Sequence, residues 1–497
     1  MTKHMKEIGM AVFGKVTGMA AVATVLAGCA VGPDYERPTA PTSAAFKEQS
    51  AVTSGEPVSD LWKVSEPQDG IDRGAWWRLY GDPVLDGLES QVAISNQTLK
   101  GSEAAYRQAL AVADVARASF FPTISLDASG QRAKTLSVSK SSGSANGVVG
   151  NSFSSSLGAS WEPDLWGRIR RTVESNEASA EASAADIALA RLSAQSALAT
   201  DYFELRSEDA LARLLEATVA AYSQSLQITR NQYATGVAAR ADVAQAETQL
   251  ASTQAQLVAV GVQRAQLEHA IAVLIGKPPA ELSIAANDMW PAVPMLPSLV
   301  PATLLERRPD IAAAERQVAA ANAQIGVAIS AYFPTLTLSG STGFSATTLG
   351  SLLQASNNVW SVGPQLALTV FDAGAHSAQV EEARASYDQT VANYRQVVLT
   401  GFQQVEDELA ALRVLASQAE VQARAVASAE EAERLVLNQY KAGTVAYTSV
   451  VTAQATALSN KQTALTIAQN RLTASVSLIQ ALGGGWDRTQ LLSEPPQ

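Results

Sequence analysis

The sequence predicts a mainly α-helical chain with a transmembrane β part, built from one unit used twice. Three observations predict this. Segments recur at a long period, one stretch is helical over more residues than a compact domain accommodates, and short segments of two-residue alternation sit between the helices. Of the 497 residues, 17% are charged and 47% hydrophobic. Beyond roughly the first thirty residues no unbroken apolar run reaches the length of about eighteen that a spanning helix needs, so any crossing there is not helical.

The repeats come first. Phe121, Pro122, Thr123 and Leu126 return as Phe333, Pro334, Thr335 and Leu338. Asn231, Gln232, Tyr233 and Gly236 return as Asn438, Gln439, Tyr440 and Gly443, and each set precedes an Ala- and Gln-rich stretch that closes at Gly276 or Gly483. The chain therefore divides into a leader (1–28), an N-terminal segment (29–83), a first copy (84–277), a connector (278–300), a second copy (301–484) and a tail (485–497). Val173 to Ala234 holds no Pro or Gly, and at 1.5 Å per residue it is a helix of roughly 90 Å. Leu198, Tyr202 and Leu205, then Leu211, Leu215, Val219, Tyr222 and Leu226, recur at intervals of three and four, the seam of helices lying side by side.

Between the helices, Trp360 to Phe371 alternates strictly, with Trp360, Val362, Pro364, Leu366, Leu368 and Val370 on one face. Weaker alternation marks 123–130, 152–161 and 335–341, with Phe153, Leu157, Ala159 and Trp161 sharing a face. Residues 134–151 and 342–358, rich in Ser, Gly and Asn, read as solvated loops. Each strand alone also suits a small soluble sheet. A strand with one apolar face is what lipid requires, provided no backbone edge stays open. Four strands cannot close a barrel, for which about eight are needed, so several chains are expected to assemble.

The N-terminus adds an address. Lys3 and Lys6 precede a small-residue apolar run from Val16 to Leu26, and Leu26, Ala27, Gly28 and Cys29 follow as a lipoprotein cleavage site. Cys29 is the sole cysteine, so it forms no internal disulfide, and covalent lipid on its thiol is expected. The formal charge of −11 argues against a nucleic-acid partner. No catalytic set is expected. The histidines are His4, His269 and His376, no metal or phosphate motif occurs, and no cofactor besides the lipid is called for. Glu406, Asp407 and Glu408 read as a solvated or tunnel-lining helix face rather than an acid–base pair. Trp161 to Arg168 and Val370 to Gly374 mark passages from strand to helix, with Asp164 placed to cap the helix. Trp161, Trp166 and Trp360 suit a membrane interface.

Taken in order, the motifs have a resemblance. Cys29 with Gly32, Pro33, Asp34 and Tyr35; Trp76 and Trp77 with Asp82 and Pro83; Trp161 through Arg168; Arg307 through Ile311 with Ala314 and Glu315; and Leu482 through Trp486 span essentially the whole mature chain. The chain resembles the outer-membrane factors of bacterial tripartite efflux systems, the TolC superfamily, in its OprM/NodT lipoprotein branch. That resemblance implies a homotrimer, a TolC-like duplicated unit forming a twelve-stranded β-barrel and a twelve-helix α-barrel with an equatorial mixed domain. It implies an exit duct for small molecules such as drugs, inserted in the outer membrane, extending into the periplasm and anchored at Cys29. A periplasmic adaptor and an inner-membrane pump of the RND type would be its partners. A type I protein-secretion channel and a non-conducting periplasmic stalk are the alternatives.

The same resemblance places Gly236 and Gly443 in turns at the periplasmic aperture. Asp242 and Tyr440 occupy the positions of a linking acid–tyrosine pair, so a hydrogen bond between them is expected; the other reading is that Asp242 favours the helix start after Gly236. Charged positions of the family's second repeat hold Val445, Ser449 and Thr452 here, leaving Thr448, Ser449 and Thr452 as aperture candidates in place of an acidic ring. The leader aside, the methionines are Met289 and Met295, too few for a copper or silver relay.

Overall fold

The computed structural model describes residues 30–41, 46–48, 73–138, 145–287, 291–294 and 308–484. Cys29 and the leader, Met289, Met295, Arg307 and Trp486 lie outside the described residues. The first repeat runs through α1 (Pro83–Ser95), α2 (Gln97–Ala118), β1 (Thr123–Val138), β2 (Ala145–Trp161), α3 (Arg168–Ala234) and α4 (Arg240–Leu274). The second runs through α5 (Pro309–Ser330), β3 (Thr335–Ala346), β4 (Asn358–Ala367), α6 (Ala375–Lys441) and α7 (Tyr447–Ala481).

In the helices the duplication is kept to the residue. Helices α2 and α5 each have 22 residues, α3 and α6 each have 67, and α4 and α7 each have 35. At the α-helical rise, 67 residues extend about 100 Å. Among the described residues no helix is long and apolar enough to cross a membrane.

The four strands form one antiparallel sheet in the order β1-β2-β3-β4. Two expectations need correction. Residues 134–138 and 145–151, expected as loop, continue the β1/β2 ladder, with Lys134 opposite Val149 and Val138 opposite Ala145. Ladder bonds join backbone groups, so Ser, Gly and Asn weaken a strand without forbidding it. Likewise β3 runs on to Ala346, and β4 ends at Ala367 rather than at residue 371. Residues 368–374 instead lead into α6, with Ala373 and Gly374 at positive φ.

The chain divides into two compact units. One holds the sheet, the helix ends that feed it and the described N-terminal residues up to Pro38. There Ala116, Ile169 and Val173 pack with Phe120, and the 30–38 segment lies along α3 and α5. Gly32 and Gly326 make that approach possible: a Cβ on Gly32, at φ +102°, would lie 2.5 Å from the Gly326 Cα. Asp34 accepts from Arg171 at 2.8 Å, and Tyr35 donates to Glu315 at 2.7 Å.

The other unit holds most of the helical length. Trp76, Trp77, Tyr80, Leu85, Leu88 and Val92 bury themselves against Leu198, Tyr202, Phe203 and Leu205 of α3, Ile271 of α4 and Val476 of α7. Asp82 caps α1 through the N–H groups of Val84 and Leu85 and accepts the Tyr202 hydroxyl. Glu406 is not a free acidic face. Its carboxylate accepts the backbone N–H groups of Lys47 and Glu48, at 2.7 and 3.0 Å.

Candidate functional site

The strand register separates the side chains into two faces. Ile124, Leu126, Leu157, Leu338, Val362 and Trp360 fall on one, because directly opposed residues point to the same side. Thr123, Ser125, Ser129, Ser154, Ser339, Ser341, Ser361 and Gln365 fall on the other. Hydroxyls bridge strands on the polar face, Ser129 to Ser154 at 2.8 Å and Ser341 to Ser361 at 2.9 Å. The apolar face is open in the single chain, with Leu126 at 74%, Trp360 at 73% and Val362 at 78% exposure. An apolar face of this extent marks contact with lipid or protein.

Where strand passes into helix, the two repeats use the same device. Asp164 accepts the N–H groups of Ile169 and Arg170 at the start of α3, and Asp372 accepts those of Gly374 and His376 at the start of α6. Each carboxylate thus meets donors that a helix start leaves unpaired. Trp161 donates its indole N–H to the Phe120 carbonyl and Trp166 to the Pro334 carbonyl, at 2.9 and 2.8 Å. Trp166 also stacks on Phe333, with centroids 4.8 Å apart. These two tryptophans fasten the joint, while Trp360 stands free on the apolar face.

At the far turns, α3 and α6 end alike. Gly236 and Gly443 take φ +76° and +75°, Val237 and Thr444 donate back to the carbonyls of Gln232 and Gln439, and the glycines donate to those of Tyr233 and Tyr440. This pattern of paired back-bonds requires a left-handed residue, which is why glycine stands there. The expected Asp242–Tyr440 bond is absent. Asp242 folds back on its own helix start, accepting the Ala239 N–H at 3.0 Å, and the Tyr440 hydroxyl donates to Thr229 at 3.2 Å. The structure shows Asp242 in its helix-start role, its carboxylate meeting an N–H that the helix start leaves unpaired.

The two helical hairpins meet here through uncharged groups. Tyr440, Tyr447, Leu226, Val243, Ala246 and Val450 form a buried cluster on which Val445 packs. Gln232 donates to the Tyr440 carbonyl at 3.2 Å and Gln454 to the Ser225 hydroxyl at 3.1 Å. Burial raises both tyrosines, Tyr447 to about 12, so both stay neutral. The ion pairs of Arg230 and Arg240 with Glu247 lie within the first hairpin.

Thr448, Ser449 and Thr452 are exposed at the start of α7. Thr448 and Thr452 belong to a longer stripe that the sequence reading missed: Thr456, Ser459, Thr463 and Thr466 follow at intervals of four and three and are also exposed. Thr452 and Thr456 donate to carbonyls one turn back, at 3.0 and 2.8 Å. Thr229 was missed as well. One of four threonines inside a 67-residue helix carries no signal until its partner is known.

Comparison with known proteins gives this geometry its setting. The family described as outer membrane efflux protein matches residues 88–277 and 300–484, about the two repeats. The solvent efflux pump outer membrane protein SrpC of Pseudomonas putida is 32% identical over 94% of this chain and 97% of that protein. The pyoverdine export outer membrane protein OpmQ of Pseudomonas aeruginosa is 33% identical over 88% of this chain and 93% of its own length. Among solved structures, the outer-membrane channel OprN superposes with a TM-score of 0.82 at 29% identity, covering 92% of this chain and all of that one. Two repeats of matched helix length and a sheet with one lipid-ready face are thus joined to a family match over both copies, and the chain belongs to the outer membrane efflux protein family.

Proposed function

We propose that this outer-membrane efflux channel works as a homotrimer, the passive exit duct of a tripartite pump that exports small molecules. The single observation that carries this reading is the two-faced sheet. Its apolar face suits lipid, its hydroxyl-rich face suits a water-filled lumen, and its outer strands β1 and β4 have edges that only further copies can pair. Three copies supply twelve strands. The helices extend into the periplasm and end at the two glycine turns, where a periplasmic adaptor docks and connects the duct to an inner-membrane pump of the RND type.

Relatives named for solvent, toluene, antibiotic and pyoverdine export favour small organic molecules as cargo. Lipid on Cys29 fits the same arrangement. Its support is the placing of the residues that follow Cys29: Val31 donates to the Trp166 carbonyl at 3.0 Å, and Ala30 lies against Gly167, both at the strand-to-helix joint.

The purified full-length chain is expected to run as a trimer by native mass spectrometry and to conduct ions in planar bilayers. Deleting its gene should sensitise the host to solvents and antibiotics. Trimers that insert without conducting would replace the duct with a structural stalk.

A further inference from the structure

The apolar face of the sheet carries two positive charges that the export function does not use. On β1 the residues of that face run Ile124, Leu126, Ala128 and Gly130, and then Arg132 and Lys134. Phe153 lies opposite Gly130, and Phe344 and Trp360 lie on the same face of β3 and β4. Through the ladder Phe153, Phe344 and Trp360 register with Gly130, Ala128 and Leu126, so the rings step along the strands with Phe153 outermost, and Phe153 marks the aromatic level at which β1 and β2 leave the hydrocarbon. Arg132 comes two residues past Gly130 and Lys134 two residues further, which at the strand rise is about 7 and 14 Å beyond the ring level. The end concerned is the one remote from α2, α3, α5 and α6, which all join the sheet at its other end. With the helices in the periplasm, the two cations stand at the headgroups of the outer leaflet.

Both side chains are exposed, and neither has a hydrogen bond or ion pair among the described residues. They are the only charged side chains on either face of the four strands apart from Asp127, which lies on the polar face with Ser125 donating to it. Two cations without a partner among the described residues, two and four ladder positions beyond Phe153 and on the lipid-facing side of the sheet, are placed to take an anionic partner outside the protein. Opposite Arg132 and Lys134 stand Asn151 and Val149, so no carboxylate of β2 competes.

We propose that Arg132 and Lys134 bind the phosphate groups of a phosphorylated glycolipid in the outer leaflet of the outer membrane. The inference rests on reading the sheet as a membrane stave with its hairpin ends outward. Arg132 supplies a planar fork that matches two phosphate oxygens, and Lys134 adds a mobile point charge a short distance above it.

The test uses the full-length trimer in mixed micelles, with diphosphoryl lipid A as probe and dephosphorylated lipid A and phosphatidylglycerol as comparisons. Diphosphoryl lipid A is expected to bind tightest, and the double substitution Arg132→Gln with Lys134→Gln to weaken it about 25-fold, roughly five-fold for each charge near an anionic membrane surface. Binding unchanged by the double substitution overturns the proposal, as does equal binding of the dephosphorylated lipid or of phosphatidylglycerol. Failure of the stave reading shows separately. Chain that stays soluble without detergent and never enters liposomes removes that reading, whereas inserted, conducting trimers indifferent to the double substitution remove the lipid site alone.

Discussion

The Tyr440 hydroxyl donates to Thr229 across 3.2 Å, tying α6 to α3 beside the two glycine turns. A net hydrogen bond of this kind contributes about 1 kcal/mol, and a buried partner left unmatched costs about 1 to 3 kcal/mol. Thr229→Val and Tyr440→Phe are therefore expected to loosen the hairpin ends and raise open probability in planar bilayers about five-fold or more. Asp242→Ala removes only a cap on α4, worth about 1 kcal/mol, and should leave conductance near that of the unsubstituted channel. An Asp242→Ala channel as open as Thr229→Val would contradict the assignment.

Asp209 is the centre of a different tie. Its carboxylate, 1% exposed, meets Arg206 at 3.0 Å and Arg264 at 2.8 Å and accepts the Asn287 N–H. Arg206 and Arg264 also donate to the carbonyls of Ala285 and Ile284, so the network holds the connector after the first repeat against α3 and α4. Removing one partner of a buried ion pair costs about 3 to 5 kcal/mol because the remaining charge is stranded. Asp209→Ala should lower the thermal midpoint markedly, and Asp209→Asn less so. A midpoint within a degree of the unsubstituted chain for both would show that the network is not structural.

Much of this was legible in the residues. The duplication was visible because Phe-Pro-Thr and Asn-Gln-Tyr recur, and the long helices because Val173 to Ala234 lacks any breaker. The strands were visible only where apolar residues alternate. Beyond Arg132 the ladder pairs Lys134 with Val149, Leu136 with Gly147 and Ser137 with Asn146 through the backbone, and side-chain periodicity does not report such bonds. The aperture pairing was misplaced for a related reason. Asp242 and Tyr440 are the right residue types, but a carboxylate three residues into a helix has a local donor at Ala239, and the choice between local and distant partners depends on geometry.

The two faces of the sheet make a directional forecast. Val362→Arg puts a charge on the apolar side, where arginine near the bilayer midplane costs about 2 to 4 kcal/mol in a barrel. Ser341→Arg puts the same charge on the hydroxyl side, where water is available. Folding yield into liposomes should fall for Val362→Arg and hold for Ser341→Arg. Equal loss in both would mean that the polar face is not solvated.

Glu89 makes stability depend on pH. Its side chain lies wholly inside the core of α1 and α3, and neither carboxylate oxygen has a hydrogen-bond partner among the described residues. Burial, with the Asp86 charge second, pushes its pKa up from 4.5 to about 9. Between those two values the unfolded chain has released the proton and the folded chain still holds it, so stability falls as pH rises through that window. The slope is about 1.4 kcal/mol per pH unit, and the loss is complete above the folded value and absent below the unfolded one. At neutral pH it amounts to about 3 kcal/mol. Glu89→Gln keeps the shape without the proton, so its thermal midpoint should fall less between pH 7 and pH 9 than that of the unsubstituted chain and exceed it at pH 8. Parallel declines in the two proteins would place the titrating group elsewhere.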